Sequence, residues 1–163
     1  MVLRLTLLLA FVAVVAAAPG KAKAHILAMV NYETKTEEGS KTHGVTSHKA
    51  RKEGIAIIDV DPDSKTFGKI VIDISLPSNL IGHHIFYNRD MSKAYVTALG
   101  QGWIYVMDMK KLDYRLKKVA VPGCVVGEDV IFSADNKTWY LTCMGSANII
   151  VGDVATDRVT GTI

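Results

Sequence analysis

The segment from Pro77 to Asp108 recurs as Pro122 to Asp153 at a constant offset of 45 residues, without a gap. Nine of the 32 superposed positions are identical: Pro77/Pro122, Gly82/Gly127, Asp90/Asp135, Tyr95/Tyr140, Thr97/Thr142, Gly100/Gly145, Ile104/Ile149, Val106/Val151 and Asp108/Asp153. Turn formers and strand formers stay in register together, so each copy is one structural unit. Ile85-Phe86-Tyr87 runs into a polar turn at Asn88–Lys93, an alternating stretch at Ala94–Leu99, a turn at Gly100-Gln101-Gly102 and a second alternating stretch at Trp103–Met107. The second copy follows suit, with strands predicted at Val130–Phe132, Trp139–Cys143 and Asn148–Val151. Short strands at a period of about 45 residues, with no helical periodicity, define a β-propeller blade.

The chain before Pro77 fits the same scheme with one strand missing. His25–Asn31 reads as a middle strand, Gly54–Asp61 as the next, with Asp59 in the place of Asp108, and Lys69–Leu76 as the outer strand. The expected fold is all-β, with blades of four antiparallel strands at about 25–76, 77–121 and 122–163. The inner strand of the first blade is absent, and Val159–Ile163 runs where an outer strand belongs, so the chain's far end does not supply it. Four blades need about 180 residues, whereas residues 25–163 number 139. The alternatives are a ring that continues beyond residue 163, with its remaining blades missing here, and assembly with further copies of the chain; the first is expected. Glu33–Glu53 departs from the pattern as a long polar insertion, a surface loop that carries His43 and His48.

At the N-terminus Arg4 precedes Leu5–Ala18, apolar except for Thr6, and then small and basic residues. This is the layout of a secretory signal peptide, assigned to residues 1–24 with cleavage after Ala22-Lys23-Ala24. The apolar run falls short of the roughly 20 residues a spanning helix needs, so no membrane association is expected after cleavage, and the mature chain is expected in a secreted or periplasmic setting. There Cys124 and Cys143 meet an oxidising environment in which two thiols can pair. Cys143 alternates with Leu141 and Trp139, which reads as a buried thiol rather than a nucleophile. The net charge of +3 comes from scattered Lys and Arg, without the basic stripe that tracks a nucleic-acid backbone.

The repeat also aligns the residues just before each inner strand: His83-His84 superpose on Glu128-Asp129. Inner strands surround the channel of a propeller, so the four side chains are expected to approach one another at the channel mouth. Imidazoles and carboxylates are metal ligands, and they are equally a hydrogen-bonded network without an ion; both readings stand at this point. Asn136-Lys137-Thr138 matches a glycosylation sequon but coincides with the Asp-containing turn. Met29, Met91, Met107, Met109 and Met144 are scattered, and core packing accounts for most of them. Phosphate-binding loops, nucleophile elbows and haem-attachment motifs do not occur.

Ala94-Tyr95-Val96-Thr97 followed by Ile104-Tyr105-Val106-Met107-Asp108 resembles the YVTN-type propeller repeat of exported bacterial and archaeal proteins. A longer resemblance runs through Ile58-Asp59-Val60-Asp61-Pro62, Leu76-Pro77, His83-His84 and Ile104–Asp108, and is to the selenium-binding protein and methanethiol oxidase family. It implies a seven-bladed ring, of which this chain holds about three blades. It also implies a copper-dependent oxidase of a small sulfur compound, with His83 and His84 as copper ligands. The alternative is a non-catalytic propeller that takes a protein, peptide or surface component on its loops.

Overall fold

A computed structural model describes residues 26–32, 53–76, 81–99, 102–111 and 113–163. The expected leader at 1–24, the insertion with His43 and His48, and the Pro77 and Gly100 positions of the repeat lie outside the described residues. Eleven strands and no helix occur among the described residues.

The strands form three antiparallel sheets in chain order. Blade 1 comprises β1 (Leu27–Tyr32), β2 (Gly54–Asp59) and β3 (Ile70–Ser75). Blade 2 comprises β4 (Ile81–Tyr87), β5 (Lys93–Leu99), β6 (Trp103–Asp108) and β7 (Leu116–Ala120). Blade 3 comprises β8 (Gly127–Phe132), β9 (Thr138–Cys143), β10 (Asn148–Asp153) and β11 (Val159–Thr162). The described part of blade 1 has three strands, as expected, and β11 is the outer strand of blade 3.

Two-residue alternation explains how the blades stack. Blade 2 lies between its neighbours, and its strand β5 is buried on both faces. Ala94, Val96 and Ala98 point toward blade 1, where Ile55, Ile57 and Leu76 meet them. Tyr95 points the other way, into a cluster with Val130, Trp139 and Leu141 of blade 3. Its ring meets Phe132 edge-on at 5.1 Å. In β9 only Trp139, Leu141 and Cys143 are buried, in line with the predicted alternation. Trp139 lies over its strand partner Gly152, where a Cβ would collide with the indole.

The turns of the repeat superpose as predicted. Asp90 Oδ1 accepts hydrogen bonds from the Ser92 amide and hydroxyl, and Asp135 Oδ1 accepts from the Ser133 hydroxyl and the Lys137 amide. Met91 and Asn136, one offset apart, both take positive φ, near 56° and 57°. The sequon residue Asn136 is engaged across the junction, its Oδ1 accepting from the amide of Arg89 in the blade 2 turn. Met91 and Met144 are exposed turn residues, whereas Met107 is buried and Met29 and Met109 pack against the blade 1–blade 2 core.

Cys143 is buried, but as half of a disulfide with Cys124, the two Cα atoms 5.2 Å apart. The expectation of a buried free thiol is corrected by this bond.

Candidate functional site

The four aligned residues do not precede the inner strands; His83 and His84 lie inside β4, and Glu128 and Asp129 inside β8. Both pairs occupy β-bulges. In blade 2, Gly82 pairs with Ala98 and Ile85 with Val96, so His83 and His84 together oppose Thr97. In blade 3, Gly127 pairs with Cys143 and Val130 with Leu141, so Glu128 and Asp129 oppose Thr142. A bulge of this kind leaves an amide without a ladder partner. The repeated threonine supplies one: His84 N–H donates to Thr97 Oγ1 at 3.1 Å and Asp129 N–H to Thr142 Oγ1 at 3.0 Å. The glycine before each bulge is also closely packed: a Cβ at Gly82 would stand 3.0 Å from Leu76 Cδ1 and one at Gly127 3.3 Å from Leu141 Cδ1, so either leucine would have to give way.

The two bulges face each other across the blade 2–blade 3 junction. His83 Nε2 lies 2.9 Å from Glu128 Oε1, both side chains about three-quarters buried (22% and 27% exposed). A carboxylate only accepts, so the Nε2 proton is on the imidazole and a neutral ring presents a bare Nδ1. That Nδ1 is buried and has no hydrogen-bond partner, and the same holds for His84 Nδ1. His84 Nδ1 is 3.3 Å from Asp129 Oδ1, within ion-pair range but not oriented as a hydrogen bond. This second pair is about half exposed and contributes little to stability. The imidazole rings lie 3.8 Å apart, centroid to centroid. One ligand atom from each of His83, His84 and Glu128 falls within 4.8 Å of the others; Asp129, 3.3 Å from His84 Nδ1, is not part of that trio.

Blade 1 supplies residues that sequence reasoning missed. Asn31 on β1 donates from Nδ2 to the carbonyls of Gly82 (3.2 Å) and His83 (2.6 Å). Glu53 Oε2, buried, accepts from the Gly82 amide at 3.2 Å. Both hold the entry to the first bulge. An open recess beside His84 is lined by Met29, Val30, Asn31, Ile85 and Phe86, with Asp129 at its edge.

Fold and cluster together define the class: antiparallel propeller blades whose inner strands carry an imidazole–carboxylate cluster on paired bulges. Two solved β-propeller structures are similar to this chain. Kuenenia stuttgartiensis hydrazine synthase superposes with a TM-score of 0.54 at 11% identity, over 73% of this chain and 45% of that one. The Pseudomonas aeruginosa periplasmic gluconolactonase PpgL superposes with a TM-score of 0.51 at 20% identity, over 69% of this chain and 36% of that one. The chain thus spans less than half the length of either, and at these identities the likeness is one of fold. No protein-family model and no curated protein sequence matches the chain.

Proposed function

We propose that this is an exported β-propeller protein that holds a copper ion between the inner strands of blades 2 and 3 and acts on a small sulfur compound. The observation that carries this reading is the imidazole pair itself: His83 Nδ1 is buried without a hydrogen-bond partner, Glu128 orients the ring through its other nitrogen, and the His84 ring lies 3.8 Å away. Histidines that bind metals characteristically donate the opposite ring N–H to a carboxylate, which fixes tautomer and direction. Imidazole and carboxylate donors suit copper among the divalent metals of the first transition row, and the resemblance to the methanethiol oxidase family points to the same ion. Copper would supply one-electron and dioxygen chemistry. His83 and His84 would bind it, Glu128 would set the orientation of His83, and Asp129 would face His84 at the rim. The recess lined by Met29, Ile85 and Phe86 suits a small, largely apolar substrate. Export is supported by the signal-peptide layout and by the Cys124–Cys143 disulfide.

The test is metal analysis of the purified protein beside a His83→Ala/His84→Ala variant. About one copper per chain in the first and none in the second is expected. Equal copper in both, or none in either, overturns the metal reading. The second reading is then favoured by a specific observation: the His83–Glu128 hydrogen bond joins the two blades without any ion. The cluster becomes a strut in a non-catalytic propeller that binds a protein, peptide or surface component at its channel mouth.

A further inference from the structure

Blade 3 holds its bulge by means that blade 2 lacks. In blade 2 the chain makes two ladder pairs before the bulge, Ile81 with Leu99 and Gly82 with Ala98, and the Asn31 amide and Glu53 carboxylate of blade 1 brace that entry. In blade 3 there is one pair, Gly127 with Cys143, between the incoming loop and the bulge at Glu128-Asp129. Val126, immediately before it, is held at a positive φ of 57°, which is unfavourable for a β-branched residue. With one ladder pair and a strained residue, this end depends on the contacts of the loop itself, whose Val121 and Cys124 are buried with Cys143.

The disulfide falls at this weak point. Cys143 is the strand partner of Gly127, and Cys124 Sγ lies 3.6 Å from where a Gly127 Cβ would be. The bond fastens the loop from Val121 to Val126 to the end of β9. Around it the Met144 amide donates to Val126 O, the Gly145 amide to Val125 O and the Val125 amide to Ser146 Oγ. At the 45-residue offset the two cysteines correspond to Asn79 and Ala98, so blade 2 has no such bond, and it is the carboxylate half of the cluster that is tied down.

We infer that the Cys124–Cys143 disulfide is a positioning element of the site, holding the blade 3 bulge so that Glu128 keeps its hydrogen bond to His83 and the imidazole keeps its direction. The inference rests on the metal reading for its consequence but not for its geometry, and the two are tested separately. In the metal-free protein, amide hydrogen exchange is compared between the oxidised wild type and Cys124→Ala/Cys143→Ala. The expected result is faster exchange confined to residues 124–130, with the amides of Ile57 and Tyr95 unchanged. Unchanged exchange at the bulge overturns the inference. So does uniform loss of protection over all three sheets, which would make the disulfide a general stabiliser.

The second arm titrates both proteins with Cu(II). Loss of an outer residue that orients a ligand lowers metal affinity about 10–100-fold, and a weakening of that order is expected. An affinity within twofold of wild type, alongside faster exchange, refutes the link to the site. If the wild type binds no copper, the metal reading falls and the exchange result alone decides whether the bulge is held by the disulfide.

Discussion

Tyr95 donates its hydroxyl to Asp157 Oδ1 at 3.0 Å, deep in the junction of blades 2 and 3. Burial holds its ionisation well above the ordinary value of 10, and the adjacent Asp157 charge and hydrogen bond push it further the same way. The folded protein therefore keeps a proton that the unfolded chain releases from pH 10 upward. The neutral phenol's stabilising effect is complete below pH 10 and is lost as pH rises beyond it. Unfolding free energy is expected to fall above pH 10 by about 1.4 kcal/mol per pH unit more steeply in the wild type than in Tyr95→Phe. Urea titrations of the two proteins between pH 9 and 11.5 measure the difference, and parallel curves would contradict it. At this scale the sequence showed Tyr95 and Tyr140 as equivalents and brought His83-His84 over Glu128-Asp129. It hid Asp157, because the offset sets Leu112 opposite it. It hid Asn31 as well, since the polar insertion breaks the register that would have carried β1 along.

Among the elements, the inner strands carry the site through their bulges, and the threonine opposite each bulge is what makes them tolerable. Thr97 is fully buried, so Thr97→Val leaves the His84 amide without its acceptor in a place water reaches poorly. A loss of about 1–3 kcal/mol is expected from urea unfolding, accompanied by weaker copper binding if His84 shifts. A stability within 0.5 kcal/mol of wild type, an approximate bound on a neutral change, would show that the amide finds another partner. The strands themselves were legible, to within a few residues, from alternation and turn residues. The bulges were not. Two residues opposing one leave no trace in a comparison of the copies, because both copies hold the extra residue at the same place and the alignment runs through ungapped.

At the level of the whole molecule, the blades are joined by apolar faces and by polar ties, of which the buried Asp157 gathers the most charge. Asp157, from the turn between β10 and β11, accepts from Lys93 Nζ at 2.7 Å and Lys117 Nζ at 3.0 Å, besides Tyr95. Lys93 also donates to the Val154 carbonyl at 2.5 Å. Lys117 is more than half exposed and adds little. Lys93 is mostly buried, so Asp157→Ala strands its charge, at a cost of about 3 kcal/mol. Thermal unfolding followed by tryptophan fluorescence checks this, Trp139 being buried in the same junction; an unchanged transition would count against the junction as a stability determinant. The sheet order and the three strands of the described part of blade 1 could be read before any coordinates, since they follow from the period and from strand counting. How the blades lock together could not, because the acceptor at the centre of the lock, Asp157, sits in a turn beyond the repeated segment that ends at Asp153. One consequence reaches beyond this pair of sites. The glycine before each bulge and the threonine across from it are common to both blades, while the two bulged side chains are not. A blade of this type is then a cassette, in which one backbone frame carries His-His in one copy and Glu-Asp in the next.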